Sequence, residues 1–194
     1  MAYIGMRYVV VAKVSAHNAG AEPTYTDGMV MGKAITGNLT IDRNTNPLYA
    51  DDGIAEDDNS ITGMQLEIGL DDLLEDVQEY VGLLEKKTFG TPSVTTYYDT
   101  DAAAHEVGVG YIRVRRKNGV TKYQALWIYD TMFSITSEQA QTKGEQIEWQ
   151  TPTATGRCKA LDVDGSGKMK YRKRQIFDSE PAAKSYLNGL AGIT

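Results

Sequence analysis

Short runs of apolar and β-branched residues recur along most of the 194-residue chain, a pattern typical of a protein built mainly from strands. The Asn118-Gly119 pair lies between two such runs and predicts a two-residue hairpin turn, because both residues tolerate positive φ. The predicted strands are 6–14, 24–41, 61–70, 94–98, 107–116, 120–135, 146–150, 155–163 and 168–177.

Two segments have the features of helices. Between residues 70 and 81 the apolar residues fall at helical spacing, with acidic residues on the opposite face. A second helix is predicted at 179–188, where Ser179 can cap the first turn and Pro181 fits inside it. Strands packed around the 70–81 helix predict a mainly β fold of the α+β class, a β-sandwich or open barrel. Neither a repeat nor a linker divides the chain, so residues 1–194 are predicted to form one domain.

A long polar segment separates two predicted strands. Residues 40–66 lack periodicity until the alternation at 61–70 begins, which predicts a long loop or an extended hairpin with its outer part at about 42–60. Loops longer than about 15 residues in a compact domain are usually functional or disordered.

Charge is distributed unevenly around the net value of −6. Residues 44–85 contain 12 acidic residues and no Lys or Arg, whereas the remainder contains 14 acidic and 20 basic residues. Basic residues concentrate at 113–122 and at 157–174. Two interpretations are open. Both regions are ordinary solvated faces, or they are opposite patches that orient copies of the chain head to tail.

Common catalytic and metal chemistries find little support in the sequence. The chain has one cysteine, Cys158, and two histidines, His17 and His105, so neither a disulfide nor a His-rich zinc site is expected. Residues 162–167 resemble the start of a calcium loop, but Lys173 stands where the twelfth position needs Glu, so a glycine-rich turn is favoured. We therefore predict no cofactor, no metal and no enzymatic activity. Without an apolar run of about 18 residues or a secretory leader, we expect a cytoplasmic protein that does not enter a membrane.

Several segments, taken in order, resemble one known family. They are Ile4-Gly5-Met6-Arg7, Val11-Ala12-Lys13-Val14, Gly32-Lys33-Ala34, Leu48-Tyr49-Ala50-Asp51-Asp52, Gly63-Met64-Gln65-Leu66-Glu67-Ile68, the 70–81 segment, the hairpin at 107–123, Thr142-Lys143-Gly144-Glu145 and Trp149-Gln150-Thr151-Pro152. This order is similar to that of the major tail protein, or tail tube protein, of long-tailed phages with non-contractile tails. The resemblance covers about residues 4–160 and is most specific at 48–52 and 142–152. The basic segment 161–194 matches less clearly.

The resemblance implies a structural virion protein. Members of that family form hexameric rings whose inner wall is a β-barrel, and the rings stack around a tape-measure protein into a tube for DNA ejection. The implied partners are therefore further copies of the chain, the tape-measure protein, tail tip and tail terminator proteins, and viral DNA passing without tight binding. The implied location is the virion tail, with the host cytoplasm during assembly.

The resemblance also implies that the long loop reaches a neighbouring subunit. We expect its acidic part to contact a basic patch near 113–117 or 168–174 of that neighbour. The predicted contact residues are Leu48, Tyr49, Asp51, Asp52, Glu56, Asp57, Asp58, Arg113, Arg115, Arg116 and Lys117. Alternatives are a β-sandwich adhesion module of a tail tip, or the tube protein of a contractile tail or phage-like bacteriocin.

Overall fold

An eight-stranded antiparallel sheet forms most of the protein. The computed structural model describes residues 2–44, 48–50, 53–56, 60–90, 92–99, 104–134 and 152–193, with the backbone alone for 2, 48–50 and 53–56. In chain order, the elements are β1 (Ala2–Ala16), β2 (Thr24–Gly32), β3 (Ala34–Arg43), β4 (Leu48–Ala50), β5 (Gly53–Glu56), β6 (Ile61–Leu70), α1 (Glu75–Tyr80), β7 (Leu84–Phe89), β8 (Val94–Asp99), β9 (Val107–Lys117), β10 (Val120–Ser134), β11 (Thr153–Cys158), β12 (Arg172–Phe177) and α2 (Glu180–Ala191).

The large sheet folds back on itself. Its strand order is β2-β1-β9-β10-β11-β6-β3, and β12 pairs with β10 beside β11. Side chains from strands at both ends of this order share one buried cluster, so the two ends face each other across an apolar interior. Met6 of β1 lies directly over Gly37 of β3, where a Cβ would come within 2.0 Å of the Met6 sulfur. The fold is thus mainly β, with a sandwich-like interior.

The interior of the folded sheet is filled by aliphatic side chains at alternating positions. Val9, Val109 and Leu126 from the central strands meet Leu66 and Ile68 from β6, all fully buried. α1 closes this interior with Val77, while the neighbouring residues Leu73 and Val81 extend the same contact. Complete burial of such side chains stabilises the fold by about 1.5–3 kcal/mol each.

The opposite face of the central strands is apolar too, and α2 covers it. Trp127 lies in this second cluster, fully buried, with Ala183 and Leu187 of the helix. Gly110 of β9 makes room for the indole, because a Cβ there would lie 2.7 Å from the Trp127 ring. Trp127 is thus a core residue of the second cluster, and Trp149 lies outside the described residues.

An irregularity in β1 fastens α2 to the sheet. The register of β1 against β9 shifts between Arg7 and Val10, and Tyr8 takes a φ of 56° there. The Tyr8 hydroxyl donates to Asn188 Oδ1 at 2.7 Å, and the Arg7 guanidinium pairs with Glu180 at 2.9 Å. A bulge of this kind redirects side chains that would otherwise follow the alternation of the strand.

Two short antiparallel ribbons accompany the large sheet. β4 and β5 pair within the connection from β3 to β6, and those two long strands pair with each other as well. The segment predicted as a long loop or extended hairpin is therefore a hairpin in its described part. β7 and β8 form the second ribbon, in which Phe89 opposes Val94 at the outer end.

The helix predictions need correction. The predicted 70–81 helix is strand β6 up to Leu70, and only Glu75–Tyr80 is helical. Leu70 fits the apolar stripe of a helix and the alternation of β6 equally well. It belongs to the strand because Gly69 and Leu70 pair with β3. The C-terminal helix is confirmed with Ser179 at its N-cap, but it continues to Ala191 and ends at Gly192 in the left-handed region. The principal helix packed on the sheet is therefore α2.

Strand boundaries also differ. The predicted strand 24–41 is two strands on opposite ends of the sheet, divided after Gly32. β7 had no predicted counterpart, and the predicted strand 146–150 lies outside the described residues. The hairpin at Asn118-Gly119 is confirmed, with φ of 52° and 79° and Lys117 paired to Val120.

We expect Leu187→Ala to lower the free energy of unfolding by about 2–5 kcal/mol, because it leaves a cavity between α2 and the sheet. Gly189→Ala in the same helix is the matched control, since a Cβ there meets nothing within 4 Å. Because alanine has a greater helix propensity than glycine, this control should raise the free energy of unfolding by about 0.5–1 kcal/mol. Urea unfolding followed by circular dichroism measures both values. If Leu187→Ala changed the free energy of unfolding as little as Gly189→Ala does, α2 would not be part of the cooperative core.

Candidate functional site: an arginine cluster on the sheet

Four arginines from two non-neighbouring strands come together on one face of the sheet. Arg113 and Arg115 are on β9, Arg172 and Arg174 are on β12, and β10 lies between these strands. In the register, Arg113 lies opposite Gln124 and Arg174 opposite Leu126, so the four side chains emerge on the same face. The sequence placed these residues in two separate basic groups, and the pairing of β12 with β10 unites them.

The positive charges in this arginine cluster repel one another. Burial lowers the pKa of Arg172, and the nearby guanidinium groups of Arg174 and Arg113 lower it further. None of the four arginines forms an ion pair with a carboxylate among the described residues, and the neighbouring Lys122 pairs instead with Asp178. Within the described part of the chain, these like charges are held together without a counter-charge, an unfavourable arrangement that a bound anionic group would relieve.

Tyrosine side chains hold the guanidinium groups of Arg113 and Arg115 in place. The Tyr3 ring centroid lies 5.2 Å from the Arg113 guanidinium carbon and 5.6 Å from that of Arg115. Arg113 Nη2 also donates to the Tyr111 hydroxyl at 3.1 Å, and the Tyr3 hydroxyl donates to Gln124 at 3.3 Å. Cation–π contacts of this kind fix the guanidinium planes while leaving their N–H donors available. The two arginines on β9 are thus pre-organised to bind a carboxylate or a phosphate.

The predicted basic residues are only partly brought together. Arg113 and Arg115 lie in the cluster, whereas Arg116 alternates to the other face of β9 and Lys117 is exposed beside the hairpin turn. From the sequence alone, Arg172 and Arg174 belong to the basic patch at 168–174, which was the alternative to the patch at 113–117. Their i, i+2 spacing in a predicted strand was the available signal, but strand pairing was needed to show which group they join.

The predicted acidic contact residues lie largely outside what the structure describes. Asp51, Asp52, Asp57 and Asp58 are outside the described residues, and for Leu48, Tyr49 and Glu56 the backbone alone is described, in the β4–β5 ribbon. Further along the acidic segment, Asp76 accepts hydrogen bonds from Lys86 and Tyr97, which lower its pKa.

Apolar side chains are exposed at the outer end of the β7–β8 ribbon. Phe89 and Val94 are 52% and 61% exposed, and the two residues face each other across the ribbon. An open groove of about 560 Å³ lies elsewhere, lined by Val30, Leu74 and Met6 among others. Exposed apolar surface bounded by polar residues is typical of interaction sites.

The segment that resembles a calcium loop is a hydrogen-bonded turn. Asp162 Oδ2 accepts from the Gly167 N–H at 3.0 Å, and Asp164 accepts from the Ser166 hydroxyl at 2.7 Å. An ion pair with Lys170 is the main cause that lowers the pKa of Asp164 to about 2. The backbones of Leu161 and Lys170 pair across the turn. The glycine-rich turn favoured by the sequence is confirmed.

Comparison with known proteins adds no assignment. No protein-family model matches the chain, and no curated protein matches it in sequence. Among the described residues, no helix is both long and apolar enough to cross a bilayer.

We expect Arg174→Gln to stabilise the folded chain by a few tenths to about 1 kcal/mol at low salt, because it removes like-charge repulsion. The gain should disappear near 1 M salt, where the screening length falls to about 3 Å. Arg116→Gln on the other face of β9 is the control and should change little. Urea unfolding of each variant at low protein concentration measures the difference in the free energy of unfolding. A loss of stability at low salt would show that the cluster is already neutralised within the chain.

Proposed function

We propose that this protein is a structural subunit of a phage tail tube, which forms rings that stack into a conduit for DNA. The proposal rests on the family resemblance in the sequence together with one structural observation. That observation is an arginine cluster with no ion-pair partner among the described residues of its own chain. The chain carries 12 acidic residues between positions 44 and 85, so a second copy can supply the missing charge.

Contacts between two different patches favour rings and stacks. When an acidic patch of one subunit binds a basic patch of the next, the contact repeats until the ring closes or continues as a filament. The acidic ribbon around β4 and β5 connects two strands of the large sheet, which gives it a fixed base from which to reach a neighbour. The four arginines would receive it with charge-assisted hydrogen bonds.

The open edges of the sheet support the same assembly. In the described part of the chain, β2 pairs only with β1 and β3 pairs only with β6, so each has one side without a strand. An edge strand of this kind can pair with a strand of another subunit. Continuation of the sheet from subunit to subunit is the way in which a ring acquires a β-barrel wall.

Passage of DNA limits where the arginine cluster can lie in such a tube. Arginines that line the lumen would bind phosphate through counterion release and would retain DNA. We therefore place the cluster at the contact between subunits, where carboxylates neutralise it. An acidic or neutral lumen follows as a consequence of that placement.

Electron microscopy of the purified protein over a range of concentrations tests whether it is a tube subunit. Rings or tubes of uniform width are the expected result.

A second experiment tests the contact between the acidic ribbon and the arginine cluster. Replacing Asp51, Asp52, Asp57 and Asp58 with Asn should raise the protein concentration needed for assembly by about tenfold at low salt. The effect should be smaller at high salt because of screening.

Charge reversal on both sides gives a sharper comparison. Asp51→Lys with Asp52→Lys should block assembly, as should Arg172→Glu with Arg174→Glu, while an equimolar mixture of the two variants should recover it. Arg116→Glu serves as the control outside the cluster. Normal assembly of each reversed variant alone would overturn the contact, and a strict monomer under every condition would count against the tube.

A second candidate function is an adhesion module of a tail tip. The open groove beside Val30 and Leu74 favours it, since ligand sites are concave and largely apolar. Binding to a glycan array by a protein that stays monomeric would support this function over the tube.

A further inference from the structure

We propose that His17, Glu106 and Asp130 form a binding site for one first-row divalent metal ion, with Zn²⁺ preferred. The three residues lie at the ends of three neighbouring strands, outside the arginine cluster. His17 directly follows β1, Glu106 directly precedes β9, and Asp130 is near the end of β10. The inference does not depend on the proposed function.

The distances between the donor atoms suit a small cation. His17 Nε2 lies 2.9 Å from Glu106 Oε2 and 3.6 Å from Asp130 Oδ2, and one donor atom from each residue falls within 4.8 Å of the others. Donors about 2.0–2.2 Å from a tetrahedral zinc ion are separated by about 3–3.6 Å. Three protein ligands would leave one of the four zinc positions for water.

Asp130 indicates that the group of acids is more than a solvated surface. Its side chain is 0% exposed, and neither carboxylate oxygen has a hydrogen-bond partner among the described residues. A buried carboxylate without partners is costly, and such groups in proteins are normally paired or bound to metal. Burial, followed by repulsion from Glu106, raises the pKa of Asp130.

A bulge aims Asp130 at the other two residues. Ile128 pairs with Val109 and Thr131 with Val107, so β10 has one more residue than β9 over this stretch. Bulges occur often beside functional sites because they redirect a side chain without breaking the sheet. The backbone N–H of Val14 donates to the Glu106 carbonyl at 3.1 Å, which fixes the end of β1 beside Glu106, and the His17 ring contacts the Glu106 carboxylate at 2.9 Å.

Lys159 neutralises only part of the negative charge. Its ammonium donates to Glu106 at 3.1 Å and lies 3.8 Å from Asp130 Oδ2. One positive charge faces two carboxylates, and the lysine side chain is 58% exposed, so it can turn into solvent when a metal ion enters. We expect Lys159 to compete with the metal rather than to replace it.

The donor set selects the type of ion. One imidazole nitrogen with two carboxylate oxygens suits Zn²⁺, Co²⁺ or Ni²⁺, whereas Ca²⁺ and Mg²⁺ prefer oxygen ligands alone. Zn²⁺ should therefore bind with 1:1 stoichiometry and raise the melting temperature, and Mg²⁺ at the same concentration should not. By joining the ends of β1, β9 and β10, the ion would fasten one end of the sheet.

Calorimetric titration of the untagged, chelator-treated full chain with Zn²⁺ is the direct test. His17→Gln should weaken binding by more than about 100-fold, since loss of a direct ligand exceeds the usual effect of losing a supporting residue. His105→Gln is the matched control, because its imidazole contacts the Tyr80 carbonyl and lies outside the site. Lys159→Ala should tighten binding by removing the competing charge.

Two further measurements keep the proposal falsifiable if a variant folds poorly. Asp130→Asn preserves the shape of the side chain and should weaken Zn²⁺ binding while circular dichroism confirms the fold. The visible absorption of bound Co²⁺ reports its coordination in the unmodified chain, and tetrahedral intensity is the expected result. Absence of 1:1 binding, or equal loss of binding in His17→Gln and His105→Gln, would overturn the proposal.

Discussion

Burial of the central strands on both faces is the constraint on which the rest of the structure depends. In β1, Val9 and Val11 belong to one apolar cluster, while Val10 and Ala12 belong to the other. A sheet with two apolar faces needs a cover on each side. The chain supplies one cover by folding β6 and β3 back over the strands, and the other by laying α2 across them. The C-terminal segment is therefore an integral layer of the fold.

The same arrangement decides where charge can accumulate. β12 precedes α2 and pairs with β10, and this pairing places Arg172 and Arg174 beside Arg113. Repulsion within the cluster is a consequence of the topology, because strand pairing fixes how close the guanidinium groups lie. At the other end of the sheet, the bulge in β10 buries Asp130 beside Glu106. Both charged sites are thus by-products of strands whose apolar contacts fix their positions.

The sequence predicted local features well where one physical preference acted alone. Asn118-Gly119 specifies its turn because few other residue pairs adopt positive φ, and Ser179 with Pro181 marks the start of α2. Prediction was wrong where two preferences overlapped. Leu70 fits both a helical stripe and a strand alternation, and only its pairing with Ala34 decides between them. His17 and Asp130 are 113 positions apart, and no periodicity links them.

The sequence by itself determined the mainly β class, the hairpin at 118–119, the C-terminal helix and the separation of acidic from basic segments. Those features depend on neighbouring residues, whose preferences are expressed within a few positions along the chain. The tertiary structure alone decided that two basic groups merge into one cluster, that β2 and β3 separate to opposite ends of the sheet, and that a histidine meets a buried carboxylate. Each of these depends on pairing between strands distant in sequence, which the free energy of the whole core selects.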